Sequence, residues 1–157
     1  MKTPLPQDEY LRSLATKRTG VAVLFFDEEG KLLVVKPNYK EKWQVPGGTV
    51  DKNESPKAAG IRETKEEIGI TVTDLTFLCV EYKSEGMNDM DFLEFMFFGK
   101  VLTKEEITSI TLEQDELDEF KFVTTDEALE LFRPSLKRRL PIGLETLKTG
   151  VPTYCEF

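Results

Sequence analysis

Apolar residues along the chain fall into short runs of two kinds. Val21–Phe26 (VAVLFF) is continuously apolar, which predicts a buried strand. Asp27–Gly30 (DEEG) reads as a turn, and Leu32–Val35 resumes the apolar run, so the two predict a hairpin. Trp43–Val45 is a further short strand, stopped by Pro46, Gly47 and Gly48. Ile70–Tyr82 and Asp91–Val101 read as strands joined by a polar connection, and Phe120–Val123 as another. The helical pattern begins at Ser55-Pro56, where Ser can cap and Pro fits the first turn, and runs to Ile68 before Gly69 ends it. Thr125–Phe132 opens on a cap-like Thr with helical apolar spacing, and Pro134–Leu147 is helical with Pro141 interrupting it. Residues 4–17 form a short N-terminal segment with a minimal stripe, Leu11 and Leu14. There is no internal repeat, low-complexity tract or linker, so residues 1–157 read as one domain. Strands, one central helix, more strands and a C-terminal helix make a mixed α/β order, not the strict alternation of a doubly wound fold.

Composition narrows this picture. With 157 residues, 39% hydrophobic and eleven Phe, the chain can bury a core and is too apolar to be disordered. Acidic residues number 29 against 21 basic, a net charge of −8, which lacks the footprint of a duplex binder and predicts no DNA partner. A phosphate anion would need that charge offset locally, and a divalent metal is the candidate. The absence of histidine excludes His-based triads, His–metal sites and Cys–His pairs. Cys79 and Cys155 are far apart and outside any C-x-x-C pattern, so they read as two reduced thiols, with a disulfide left open. No signal-peptide core opens the chain and no window reaches membrane-spanning length, so a soluble, cytoplasmic protein with no membrane partner is expected.

Candidate chemistry sits in Gly48–Ile70 (GTVDKNESPKAAGIRETKEEIGI). On a helical wheel with Ala58 at zero, Ile61, Thr64 and Ile68 fall at about 300°, 240° and 280°. Glu63, Glu66 and Glu67 fall at about 140°, 80° and 180°, so apolar stripe and carboxylates are expected on opposite sides. Ala59, at about 100°, would leave room above the acids. Like charges at i, i+3 and i+4 repel by roughly 0.2–0.5 kcal/mol per pair and become favourable around hard cations. Arg62, four residues before Glu66, can pair with it. A solvated helix face has the same charge pattern, and the pattern alone does not separate the two. An EF-hand beginning at Asp51 fails, because its sixth position is Pro56 and its twelfth Arg62.

This segment resembles the signature of the Nudix hydrolases, G-x5-E-x7-R-E-U-x-E-E-x-G-U, with U a bulky aliphatic residue. Gly48, Glu54, Arg62-Glu63, Glu66-Glu67, Gly69 and Ile70 match, preceded by the lead-in Trp43–Gly47, and Thr64 is the one departure. The resemblance is specific over 43–70 and looser over 18–132. It implies an α/β/α sandwich around a mixed sheet with a loop–helix–loop motif. It also implies hydrolysis of a diphosphate linked to some group X, often a nucleoside diphosphate, with Mg²⁺ or Mn²⁺. By the same resemblance Glu63, Glu66, Glu67 and the Gly47 carbonyl would hold metal. Arg62 and Glu54 would orient the loop and helix, and in some members the residue matching Glu63 is the base. Many members add an acid from a later loop, for which Glu116 is favoured over Glu113 and Asp115. Many also pair as dimers, and a homodimer is a possibility here.

Outside the motif, Tyr39, Trp43 and Lys36 are candidate substrate contacts, with Tyr39 the better aromatic because it lies beside Lys40 and Lys42. Phe25 reads as core. Arg133, Lys137, Arg138 and Arg139 read as a solvated basic face, and Ser84–Asp91 as a lid or a plain connection. Some ADP-ribose-cleaving members carry a proline soon after the motif, and this chain has none between Pro56 and Pro134. Two rival functions stay open: a catalytically silent nucleotide-binding or regulatory domain, and an RNA 5′-end pyrophosphohydrolase, which would need a cationic groove.

Overall fold

The structure is a computed structural model that describes residues 6–84 and 91–157. Its strands are β1 (Arg18–Phe26), β2 (Leu32–Pro37), β3 (Thr76–Lys83), β4 (Phe92–Val101), β5 (Leu117–Val123) and β6 (Thr153–Glu156). Its helices are α1 (Gln7–Ser13), α2 (Pro56–Ile68), α3 (Lys104–Thr108), α4 (Thr125–Leu131) and α5 (Pro134–Thr149). The strands form one mixed sheet in the order β5-β2-β1-β4-β3-β6, with β1/β4 and β3/β6 parallel and the other pairs antiparallel.

Because side chains alternate along a strand, β1 and β2 feed two cores. Val21, Val23, Phe25, Leu33 and Val35 face α2, with Ala59 and Ile68. Ala22, Leu24, Leu32 and Val34 face α4 and α5, with Ala128, Leu136 and Leu140. Helices on both faces make the expected α/β/α sandwich.

The hairpin is only a corner. β1 and β2 pair at Phe26↔Leu32 and then part. The chain from Gln44 to Val50 fills the gap: Val35 and Gln44 exchange backbone hydrogen bonds, Pro46 and Gly48 carbonyls accept from Val23 and Val21 N–H, and Val50 N–H donates to Thr19. A glycine loop thus sits inside the sheet, where it cannot drift. Gly47 has φ +145°, and a Cβ there would lie 2.1 Å from the Val21 carbonyl oxygen, so only glycine fits.

Several expectations need correction. Ile70–Leu75 is not strand; Ile70, Val72 and Leu75 bury one by one as the chain crosses the core, giving the apolar signal of a strand without a ladder. α5 runs through Pro141, which lies on its exposed side while Leu136, Leu140 and Gly143 hold the other side in the core. Thr124, not Thr125, caps α4, in a capping box with Glu127. α3 and β6 were not anticipated; β6 is too short to show a period and forms because β3 offers it an edge. Residues 85–90 of the candidate lid lie outside the described residues. Cys79 and Cys155 are unpaired, and burial pushes the Cys79 thiol up to about 12.

Candidate active site

α2 begins at Ser55, whose hydroxyl accepts from Ala58 N–H, and ends at Gly69 with φ +73°. Its buried residues are Ala59, Gly60, Thr64, Glu67 and Ile68. The expected opposition of apolar stripe and acids is therefore wrong for Glu67 and Ala59. The small residues Ala59, Gly60 and Thr64 let the helix lie close on the sheet, and Glu67 falls on that buried face. A Cβ on Gly60 would meet Leu75 at 2.7 Å, and Thr64 turns its hydroxyl back to the Gly60 carbonyl at 2.7 Å.

Arg62 organises the other acids. Its Nε and Nη2 grip both Glu54 oxygens at 2.9 Å, and its Nη1 donates to Glu63 and Glu66 at 2.9 Å. Nη2 also reaches the Thr49 carbonyl at 3.1 Å, tying helix to loop. This bidentate fork suits Arg and not Lys. The Arg62 guanidinium, helped by the Asp51 N–H, holds the Glu54 carboxyl down at about 2.

Glu67 is 3% exposed, and its Oε2 accepts from Gly47 N–H at 2.7 Å. Burial pushes its carboxyl up to about 8 against that hydrogen bond, and the charges of Glu63 and Glu116 push the same way. Burial also raises Glu63, with Arg62 opposing. Gly48 closes directly onto Glu63: a Cβ there would lie 2.4 Å from its Oε1. A cleft of about 670 Å³ opens here, with Glu63, Glu66 and Glu67 on one side and Glu113, Asp115 and Glu116 on the other. The later loop is bound to the end of α2 by Thr111 N–H to Ile68 and Glu113 N–H to Glu67.

The donor set fits a hard divalent cation: carboxylate oxygens raised in proton affinity by burial, plus the Gly47 carbonyl, which receives no backbone hydrogen bond among the described residues. In the present rotamers no three acids converge at metal-ligand geometry among the described residues, because Arg62 holds Glu63 and Glu66 and Gly47 holds Glu67.

Of the candidate substrate contacts, Tyr39 is 62% exposed and lines the cleft. Trp43 lines neither this cleft nor the smaller pocket beside it; it packs on the α5-side core, with Lys121 Nζ 4.2 Å from its ring centre. Lys36 Nζ is spent on the Pro37 and Lys40 carbonyls, stapling the loop that carries Tyr39. Arg139 is not on a solvated face at all. It is 1% exposed and pairs with Glu81 at 2.5 Å and Glu94 at 3.2 Å. The available signal was a lone Glu inside each apolar strand, FLCVEY and FLEFMFF.

The NUDIX domain family model matches residues 16–141. The chain belongs to the Nudix family. It is 33% identical over 132 residues to the ADP-ribose pyrophosphatase of Bacillus subtilis (strain 168), covering 81% of this chain and 70% of that one. It is 41% identical to an RNA pyrophosphohydrolase of Hydrogenovibrio crunogenus, but over 61 residues, 39% of this chain and 37% of that one. The MutT protein of Methanosarcina mazei Go1 shares the fold, with a TM-score of 0.66 at 23% identity over 88% of this chain and 99% of that one. This Nudix chain is a hydrolase of phosphorus-containing anhydrides.

Proposed function

We propose that the chain hydrolyses the diphosphate bond of a nucleoside diphosphate joined to a second group, in the presence of Mg²⁺ or Mn²⁺. The observation that carries this reading is the Arg62-organised acid cluster pressed against the Gly47–Gly48 loop inside the sheet. Glu63, Glu66, Glu67 and the Gly47 carbonyl would hold the cation. When bound, it supplies charge neutralisation at the phosphoryl oxygens and a lowered pKa for coordinated water.

The chain's own residues do the rest. Arg62 and Glu54 fix the helix against the loop, which keeps the acids gathered along one side of the cleft. Glu116, in no ion pair among the described residues and facing Glu63 and Glu67, takes the proton of the attacking water. Water adds to one phosphorus, the bridging P–O bond breaks, and the products are a nucleoside monophosphate and a phosphorylated second group. Tyr39 stacks on the substrate at the rim.

The similarity to an ADP-ribose pyrophosphatase over 81% of this chain and 70% of that one makes ADP-ribose the first compound to test, despite the missing proline. The RNA-end reading is weaker: its relative matches a third of its length, and a −8 chain offers little for a polyanion. The test is turnover of ADP-ribose, nucleotide sugars and dinucleotides with Mg²⁺ or Mn²⁺, comparing wild type with Glu67→Gln. Monophosphate release that drops at least about 100-fold in the variant supports the reading. Equal activity in EDTA, or binding without turnover across the panel, overturns it.

A further inference from the structure

The two acidic walls of the cleft are anchored differently. Glu63, Glu66 and Glu67 stand on α2, and the helix fixes them. Glu113, Asp115 and Glu116 stand on the connection from α3 to β5, which is neither helix nor strand. Like charges facing one another across a cleft repel, so this loop gains by swinging away from α2 unless something holds it. Its near end is held by the Thr111 and Glu113 N–H groups, which donate to the Ile68 and Glu67 carbonyls.

The far end is held by Asn38. β2 and β5 pair from Leu32↔Val123 to Lys36↔Glu119, and the register then slips, so that Pro37 lies opposite Leu117. A bulge of this kind bends a strand and re-aims its side chains. Pro37 has no N–H to give the loop. Asn38 follows and gives two hydrogen bonds: its backbone N–H donates to the Glu116 carbonyl at 2.9 Å, and its side-chain Nδ2 donates to the Asp115 carbonyl at 2.8 Å. Those carbonyls belong to the two peptide units on either side of the Glu116 Cα. Each unit is planar, so fixing both fixes the direction in which the Glu116 side chain leaves the backbone.

The residue type suits this task. Asn38 is exposed and lines no part of the cleft, yet its amide is spent on a carbonyl 77 residues away. Being neutral, it holds the loop without pairing with Asp115 or Glu116, as Lys or Arg would. Asp at this place would set oxygen against oxygen. The turn that carries Asn38 is itself closed by Lys36, whose Nζ donates to the Pro37 and Lys40 carbonyls.

We propose that Asn38 is a positioning residue for the hydrolysis, clamping the peptide units on both sides of Glu116 so that this carboxylate stays aimed across the cleft at the attacking water. This rests on the hydrolase reading above, with Glu116 as the proton acceptor. Asn38 acts only through the loop. Its backbone lies outside the left-handed region, and its N–H bond survives replacement by any residue but Pro, so Asn38→Ala removes the Nδ2 bond alone.

The experiment is a double-mutant cycle with a second readout that needs no turnover. Steady-state kinetics on ADP-ribose, or on whichever compound of the panel is cleaved, compare wild type, Asn38→Ala, Glu116→Gln and the double variant with Mg²⁺ or Mn²⁺. Expected are a fall in kcat of about tenfold in Asn38→Ala with KM within about threefold, and a fall of about 100-fold or more in Glu116→Gln. Adding Asn38→Ala to Glu116→Gln should then change kcat by less than about twofold, because the group being positioned is gone. Amide hydrogen exchange reads the clamp directly: the Glu116 and Leu117 N–H groups, both bonded to the Glu113 carbonyl, should exchange about tenfold or more faster in Asn38→Ala, with α2 unchanged. An unchanged kcat, an equal fall in both backgrounds or an effect confined to KM overturns the role of Asn38 and leaves the hydrolase reading intact. Wild type that cleaves nothing in the panel sinks the hydrolase reading, and exchange alone then decides the clamp. Faster exchange at Glu116 and Leu117 upholds it, and unchanged exchange overturns it.

Discussion

Glu67 makes a prediction that separates stability from activity. Its carboxyl stands at about 8 in the folded protein against 4.5 for the free group. A folded pKa above the unfolded one means that the folded state holds the proton more tightly between those values. Metal-free stability therefore falls as pH rises from about 4.5 to about 8 and is flat beyond. The full gap corresponds to roughly 5 kcal/mol, and water entry with side-chain relaxation brings the expected loss to about 1–3 kcal/mol. Glu67→Gln keeps an oxygen for the Gly47 N–H and removes the charge. In urea denaturation with EDTA, the variant should equal wild type near pH 5 and exceed it by about 1–3 kcal/mol at pH 8.5. Adding Mg²⁺ or Mn²⁺ should stabilise wild type and leave the variant unchanged, reversing the order. Activity should fall at least about 100-fold in the variant. A variant no more stable than wild type at pH 8.5 in EDTA would refute the claim that burial strains this carboxylate.

Gly47→Ala should cost about 2–3 kcal/mol in denaturation and abolish turnover, because its Cβ meets the Val21 carbonyl and φ +145° disfavours any side chain. Gly48→Ala should fold with little loss but displace the Glu63 carboxylate and lower kcat about tenfold or more, seen in steady-state kinetics. Arg62→Lys should lower kcat about 10–100-fold, since Lys cannot grip both Glu54 oxygens while reaching Glu63 and Glu66; equal kinetics would show the fork to be incidental. Arg139→Met should cost about 3–5 kcal/mol in urea denaturation by stranding Glu81 and Glu94 without their buried cation; unchanged stability would show that the pair adds nothing.

The candidate site was readable in the residues because its spacing is local. Arg62, Glu63, Glu66 and Glu67 lie within two turns of one helix, so their neighbourhood follows from helical geometry alone. Which face would be buried was not readable. The wheel gave weight to large apolar residues, whereas Ala59, Gly60 and Thr64 bury because they are small enough to bring helix and sheet together, and Glu67 goes in with them. The same limit explains Arg139, which shares a sequence neighbourhood with exposed Arg138 and owes its burial to Glu81 on β3, 58 residues away, and to Glu94 on β4.

By itself the sequence determined the mixed α/β order and the glycine loop followed by an acidic helix. These rest on periodicity, turn chemistry and charge, all of which act over a few residues. Only the tertiary structure decided that the loop is wedged between β1 and β2, that Glu67 is buried beneath it, and that Glu94 and Arg139 end in a pocket on the loop's far side. Those outcomes depend on strand order and on how closely layers pack, and contacts between segments tens of residues apart leave no local period for a reader to find.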